Sequence, residues 1–578
     1  MSRVNPVYTL HNECQDCYRC VRSCPVKAIR ILNGHAQVLP SRCISCAACV
    51  SACPSHAKQV RSDLEQVRKL VMEHDNVYVS LGPTWRGPFD ISEKRMAALL
   101  RRLGFRGVSE TALGAQQTAL EYARIINQAG PGLYISSQCP VIVDYIRLYK
   151  PKYVGSLLPA ASPVLTHAKY LKEKLGGGIH VVFIGACVAA KNEADRCPEL
   201  LDAAITFSEL KQWIDQSGVK IPGDEEVSAE DTFVPEKACE GVLYALSGGV
   251  RSIMEQAGIS REVQMMSLSP LQLIARGLDF LNVSELRHPV FVEALACAGG
   301  CVGGPEIATR RSIFSITSEI MDRAPHRDVM PKTPEVVLPV RYKANPVQRT
   351  VWTPQQIMEA LKRIGKYAPE DELNCMACGY HTCREMAAAL LDGNAEPSMC
   401  ASYMRTLAAR RAAAVLKGMP SAVVMVDRNM KIIEANESFV QNFLPSAAGT
   451  SKQPRDILAG KPVATVLDWT DLFKTVLKSN KEQYLDHYAY RGKYYEVRVF
   501  PLEQGESVGA IIYDVANTRN NQERVAQKAR EVIRRNIATV QEIARLLGEH
   551  VVETESLLNS IASEAENSNP DTGTDETK

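Results

Sequence analysis

A chain of 578 residues is longer than one hydrophobic core supports, so several domains are expected. With 46% hydrophobic residues, 23% charged residues and a formal net charge of +2, the composition is that of an ordinary globular protein, and it gives no electrostatic reason to expect nucleic acid or a membrane surface as a partner. The segment Met1–Pro6 lacks the apolar core of a signal peptide and no apolar run is long enough to span a bilayer, so a cytoplasmic location is expected; there the eighteen cysteines, all before residue 401 and tightly spaced, read as metal ligands and not as disulfides.

Residues 1–62 hold two similar runs, Cys14-x-x-Cys17-x-x-Cys20-x-x-x-Cys24-Pro25 and Cys43-x-x-Cys46-x-x-Cys49-x-x-x-Cys53-Pro54, the one internal repeat found. Such a spacing lets three thiolates of one loop grip three corners of an iron-sulfur cube while the fourth crosses to another cube. Zinc is the alternative, and zinc sites rarely use this doubled interlock. The runs resemble a bacterial two-cluster ferredoxin domain, which implies one cluster on Cys14, Cys17, Cys20 and Cys53 and the other on Cys43, Cys46, Cys49 and Cys24.

From 63 to 345, strand-like runs at Val77–Leu81, Leu133–Ser136 and His180–Ile184 alternate with amphipathic stretches, which predicts α/β units on a partly parallel sheet. Gly176–Gly178 follows a helical stretch and precedes a strand, so it reads as a helix stop and not as a dinucleotide loop. Four cysteines are scattered here, Cys139, Cys187, Cys297 and Cys301. Three of them belong to segments that read as strand ends and turns, where an α/β fold presents ligands. Glycines around Cys301 remove bulk, as a group larger than a cube would require. Cys197 and Cys239 read as small buried hydrophobes.

The Pro-rich stretch Ala324–Pro346 predicts a linker or wrapping loop. Residues 346–410 then hold Cys375-x-x-Cys378-Gly-Tyr-His-Thr-Cys383 with Cys400 farther on. This set resembles a four-cysteine domain of anaerobic redox proteins that binds a 4Fe-4S cluster; structural zinc is the alternative. Gly379 permits a tight turn beside the metal. In 411–520, strands at Ala422–Val426, Lys431–Glu434, Tyr494–Phe500 and Val508–Asp514 and a helix starting at Asn436 predict a small α+β unit resembling a PAS domain, with Phe439 facing its pocket. With no cysteine after Cys400 it can form no cysteinyl-flavin adduct, and His487 reads as structural, so protein contacts are its expected use. Across 521–562 a seam from Ile533 through Ile537, Val540, Ala544, Leu547, Val551, Thr554 and Leu558 to Ile561 has 4-3 spacing, which predicts a coiled coil and a homodimer, or else a helix packed on its own chain. The acidic residues 563–578 are expected to be disordered.

The segments around Cys139 (Ser-Ser-Gln-Cys-Pro), Cys187 (Gly-Ala-Cys-Val-Ala-Ala-Lys) and Cys297–Cys301 (Cys-Ala-Gly-Gly-Cys), behind a ferredoxin-like domain, are similar to the three signature loops of iron-only ([FeFe]) hydrogenases. The resemblance implies that the four cysteines hold a cubane, and that Cys301 also bridges to a diiron unit carrying carbon monoxide and cyanide, the H-cluster. Gly82-Pro83-Thr84 resembles the family's loop over that unit, and Leu158-Pro159 with Ser162-Pro163 another motif. Implied catalytic residues are Cys301, Thr84 and Gln138; implied cofactor-binding residues are Gly82, Pro83, Ser162 and Lys191.

The departures matter as much. A relay cysteine is replaced by Gln138, a methionine by Leu295, and an exit glutamate by Tyr122; the lysine that contacts a cyanide falls at Ala190, one place before Lys191. The expected fold class is therefore multidomain α/β and α+β: ferredoxin-like domain, iron-hydrogenase large-subunit domain, four-cysteine domain, PAS domain and coiled-coil helix. The expected function is a slow regulatory hydrogenase that senses dihydrogen or redox state and signals through the PAS domain and coiled coil to a separate output protein. The alternatives are a catalytic hydrogenase exchanging electrons with ferredoxin, and a cubane-only redox scaffold.

Overall fold

The computed structural model describes residues 4–307, 311–324, 331–445, 457–490 and 492–515, with 531 and 534. The chain divides into two compact units, residues 1–404 and 405–578. Three segments that read as separate domains are therefore packed as one body.

Within the first unit the cysteine repeat folds as a repeat. Each run carries its third cysteine on a short helix, Cys20 in Arg19–Ser23 and Cys49 in Ala48–Ser51. Ahead of each helix, Asp16 and Tyr18 in one run and Ser45 and Ala47 in the other take left-handed backbone angles, with φ of 51°, 56°, 54° and 56°. Non-glycine residues pay steric strain in that region; here it lets each loop curl tightly ahead of its short helix. The outer strands Val7–Thr9 and Lys58–Val60 pair antiparallel, and a hairpin joins Ile29–Leu32 to His35–Val38.

The α/β part holds two separate parallel sheets. One has the strand order Gly107–Glu110, Val77–Leu81, His180–Gly185, Ala203–Thr206, and the other Gln264–Leu268, Pro289–Ala294, Gly132–Ile135. The central strands Val77–Leu81, His180–Gly185 and Pro289–Ala294 are mostly apolar and buried because helices cover them, whereas the edge strand Gln264–Leu268 stays partly exposed. The helices Ala112–Ile126 and Pro163–Leu175 cross closely: a Cβ on Gly114 would lie 2.3 Å from the Pro163 carbonyl oxygen. The segment after 330 wraps this body, with Ala161 N–H donating to Leu338 O at 2.9 Å and Val340 N–H to Pro159 O at 3.1 Å.

A buried charge cluster joins the N-terminal cluster unit to the α/β part. Arg61 pairs with Asp63 (2.9 Å) and Asp195 (2.7 Å), and Lys191 with Asp63 (3.2 Å) and Glu209 (2.8 Å). The four-cysteine module docks on the cluster unit through its own main-chain carbonyls: Ile31 N–H donates to Asn394 O at 3.0 Å and the Arg22 side chain donates from Nη1 to Ala377 O at 3.2 Å. Gly379, at φ 94°, sits so close that a Cβ there would be 3.0 Å from Arg22 N.

The second unit has a five-stranded antiparallel sheet in the order Ile432–Ala435, Ala422–Asp427, Ser507–Asp514, Lys493–Glu503, Gln483–Tyr490. Asn436 caps the helix Glu437–Phe443, its Oδ1 accepting from Phe439 N at 3.0 Å and Val423 N at 2.9 Å. Phe439 is fully buried in a core with Phe443 and Phe473. The seam of 521–562 lies outside the described residues apart from 531 and 534, and the tail lies wholly outside them. Among the described residues, no helix is long and apolar enough to cross a membrane.

Candidate metal centres

The thiols gather in local sets. Cys20 is acted on by Cys14 and Cys17, whereas Cys43, Cys46 and Cys49 are each acted on by Cys24, the last cysteine of the other run. Burial, aided by these neighbours, pushes the Cys46 thiol up to about 12. Such thiols stay protonated until a metal displaces the protons, so cluster binding here is coupled to proton release. Lys58, 2% exposed, acts on both Cys20 and Cys49 and donates to Thr9 Oγ1 and to Ala36 O at 3.1 Å. Its fixed positive charge offsets thiolate charge where no water can.

In the four-cysteine module, Cys375, Cys378, Cys383 and Cys400 line one small cavity with Lys366, whose ammonium donates to Ser402 Oγ at 2.8 Å. A buried lysine beside the thiols repeats the arrangement at Lys58. The turn before the helix Cys383–Leu391 is fixed by Cys383 N–H donating to Asn374 Oδ1 at 2.8 Å.

The largest convergence lies at the C-terminal ends of both parallel sheets. Cys139 follows the strand Gly132–Ile135, Cys187 follows His180–Gly185, Cys297 follows Pro289–Ala294, and Cys301 opens a 3-10 turn. All four line one cavity, together with Gly82, Pro83 and Thr84 from the turn after Val77–Leu81. The crevice beyond strand ends is where α/β sheets carry ligands. Burial raises all four thiols, Cys297 to about 12, where Cys139 and Cys46 add to the effect. Cys46 lines this cavity too, so the second ferredoxin-type set is its direct neighbour. Two buried side-chain oxygens facing the cavity, Gln138 Oε1 and Glu193 Oε2, have no partner among the described residues. Gly304 keeps the wall open, since a Cβ there would lie 2.9 Å from Cys301 O and 3.0 Å from Ala186 Cβ. Soft thiolates, apolar walls and unpartnered polar atoms fit an iron-sulfur group with something polar attached.

Residues 69–305 match the iron-only hydrogenase large subunit, C-terminal domain. Residues 7–54 match a 4Fe-4S dicluster domain and residues 371–402 an Fe-S cluster family. Iron hydrogenase 1 of Clostridium pasteurianum is 26% identical over 303 residues, covering 43% of this chain and 52% of its own length. A subunit of the NADP-reducing hydrogenase of Solidesulfovibrio fructosivorans is 26% identical over 266 residues, covering 36% and 44%. The chain spans about half the length of the curated relatives it matches. Among solved structures, a variant of the [FeFe]-hydrogenase of Chlamydomonas reinhardtii covers 50% of this chain and 100% of its own, at 19% identity and a TM-score of 0.38. The chain is thus a hydrogenase-like iron-sulfur redox protein that carries 4Fe-4S clusters.

Within the hydrogenase-like domain, Cys301, Thr84, Gln138, Gly82 and Pro83 all reach the central cavity. Ser162 does not line it: its Oγ caps the helix Pro163–Leu175, accepting from Leu165 N at 3.3 Å, and borders a second cavity next door. Lys191 is a correction. Ala190 and Glu193, three apart on the helix Ala190–Arg196, face the cavity, and one residue of helical rotation turns Lys191 away to Asp63, Glu209 and the Ala204 carbonyl (3.0 Å). No ammonium from this helix reaches the site.

The groups that could move protons differ in how they are held. Gln138 Nε2 donates to Glu293 Oε1 at 3.4 Å. Glu293, fully buried, also accepts from Gly248 N (2.8 Å), Val250 N (3.0 Å) and Ser267 Oγ (2.6 Å), so its oxygens are saturated. Tyr122 Oη accepts from Ser137 N at 2.9 Å and pairs with Ser137 Oγ at 2.9 Å; burial pushes its phenol far above the usual range. Glu193 escaped the sequence reading. Burial pushes its carboxyl up to about 7 against the pull of Ser162 and Arg196, with Asp144 adding to the rise. The available signal was its spacing from Ala190, legible only once the helix and its facing side were known.

Proposed function

We propose that this protein is a regulatory hydrogenase whose buried centre reports dihydrogen or redox state to the rest of the chain. The observation that carries the reading is the convergence of Cys139, Cys187, Cys297 and Cys301 on one cavity roofed by Pro83 and Thr84, with an amide, Gln138, beside Cys139. Held there by Cys139, Cys187, Cys297 and Cys301, a hydrogenase-type iron-sulfur group would supply reversible cleavage of dihydrogen into protons and electrons. The chain's own part is to hold that group dry, set its charge and connect it. Cys46, which lines the cavity wall and belongs to the second ferredoxin-type set, is the proposed step outward for electrons. From Cys24 in that set, Lys27 and Tyr380 lead to Cys378 of the four-cysteine module, both being close enough to feel Cys24 and Cys378. Gln138 and Tyr122 stand where the resemblance implies acids. General acid-base help at one such position is typically worth ~100-fold to ~10,000-fold in rate, which supports slow turnover and a sensory use. The second unit, whose sheet order and Asn436-capped helix suit a PAS-type module, is the proposed receiver, with a paired C-terminal helix and a separate output protein beyond it.

A catalytic hydrogenase that passes electrons to a carrier such as ferredoxin is the second reading, favoured by the exposure of Cys17 and Cys375. Infrared spectroscopy of matured protein with a dihydrogen oxidation assay separates the readings. Carbon monoxide and cyanide stretches with slow oxidation support the regulatory reading; the same bands with fast turnover support the catalytic one; absence of the bands leaves a cubane-only scaffold. Cys301→Ser should abolish the bands while Cys383→Ser preserves them, and equal loss in both would reject the placement of the centre.

A further inference from the structure

Resting on the hydrogenase reading, Gln138 and Tyr122 are neutral and the carboxylate beside Gln138, Glu293, has both oxygens occupied, so a proton must leave the cavity by another path. The central cavity shares a wall with a second cavity of about 270 Å³. Two residues line both, Pro140 and Glu193, and of these only Glu193 can carry a proton. We propose that Glu193 is the proton relay of the buried site and that the second cavity is its route to solvent.

The geometry supports each half. On the inner side, Glu193 Oε2 is buried without a partner among the described residues, whereas Glu293, the other carboxylate near Gln138, has both oxygens occupied. A saturated carboxylate orients its neighbours; an unpartnered one can accept a proton. On the outer side the second cavity is walled by Ser162, Tyr342 and Cys197, and ends among Arg196, Arg341 and Lys343, with Arg341 and Lys343 exposed and the Arg196 side chain half-exposed. Arg196 would pin Glu193 as a carboxylate if it were free to pair with it. It is instead clamped by Asp144, Nη1 to Oδ1 at 3.0 Å and Nη2 to Oδ2 at 2.9 Å. Arg147, which also lines the second cavity, is held by the same Asp144, Nη1 to Oδ1 at 3.3 Å, and the remaining titratable neighbours, the thiols of Cys139, Cys187 and Cys197 and the phenols of Tyr244 and Tyr342, bring no positive charge. Glu193 is therefore free to take up a proton at Oε2 when dihydrogen is oxidised, and to give it to water in the second cavity. Electrons leave by the cubanes, and in the reverse direction the proton enters by the same carboxyl.

Three variants test this. Glu193→Gln keeps the shape and cannot release a proton; Glu193→Asp keeps the acid on a shorter stem; Cys197→Phe fills the second cavity from its wall. In matured protein with unchanged carbon monoxide and cyanide bands, Glu193→Gln should slow dihydrogen oxidation ~100-fold or more, Glu193→Asp should recover part of the loss, and Cys197→Phe should slow it as well. Independently of turnover, protein loaded with cubanes alone should show C=O stretches of buried protonated carboxylic acids, shifted in heavy water, and one of these contributions should be lost in Glu193→Gln. An undiminished rate in Glu193→Gln with the bands intact, or a carboxylic acid spectrum identical to that of the wild type, overturns the relay. If Glu193→Gln takes up no iron, an undiminished rate in Cys197→Phe overturns the route on its own. Wild-type protein lacking the carbon monoxide and cyanide bands would overturn the hydrogenase reading itself, a failure recognisable before any variant is made.

Discussion

The ammonium of Lys191 is 0% exposed and lies between Asp63 and Glu209, with Arg61 and Asp195 completing the cluster. Asp63 belongs to the junction after the ferredoxin-like segment and Glu209 to the helix Phe207–Ser217, so one side chain fastens three pieces of chain. Removing one partner of a buried ion pair leaves uncompensated charge and typically costs about 3–5 kcal/mol. Lys191→Met, close in volume, should lower apparent stability by that order without removing the carbon monoxide and cyanide bands. Denaturant midpoints that match wild type, or bands lost from a stably folded variant, would return Lys191 to the site. The sequence placed a lysine near the signature loop; it could not show which way the side chain leaves its helix, because that direction is set by which face packs on the sheet.

At the scale of elements, the helix Pro163–Leu175 is anchored to the four-stranded sheet by His167. Its Nδ1 pairs with Ser80 Oγ at 2.7 Å and its Nε2 with Ser109 Oγ at 3.0 Å, joining two adjacent strands. Complete burial lowers its imidazole from 6.5 to about 3. A depressed basic group is neutral in the fold while the unfolded chain takes up a proton below 6.5. The stability it contributes is therefore complete above that pH and is lost progressively as the pH falls toward 3. Acid unfolding of the wild type should steepen across this window, and His167→Gln should be less stable at neutral pH yet less sensitive to acid. Parallel pH profiles for the two proteins would show that His167 is not the acid-sensitive joint. The strands Val77–Leu81 and His180–Gly185 were legible as apolar runs, and the sheet was expected to be partly parallel. Its division into two sheets was not legible, because strand pairing joins residues far apart in sequence and leaves no local period.

At the scale of the whole molecule, all sixteen cluster-spaced cysteines fall before residue 401 and inside the first compact unit. A protein ending at Gly418, after the helix Ala401–Gly418, should therefore bind the same ~16 iron atoms in cubanes as the full chain, four to each cluster. Anaerobic iron analysis checks this; a loss of about a quarter or more would show that the second unit is needed to build a cluster. The candidate ligand sets of the ferredoxin-like segment and of the four-cysteine module were legible in sequence, because a cysteine run of fixed spacing closes through local loop geometry, and the same is true of the Asn436 cap and the strands beside it; the meeting of Cys139, Cys187, Cys297 and Cys301 was not, since they come from distant segments. What only the tertiary structure decided is proximity across the chain. It brought Cys46 to the wall of the central cavity, turned Lys191 away from that cavity, and set Glu193 between two cavities. Each depends on which faces pack together, and packing is a property of many distant residues at once, which no local pattern encodes.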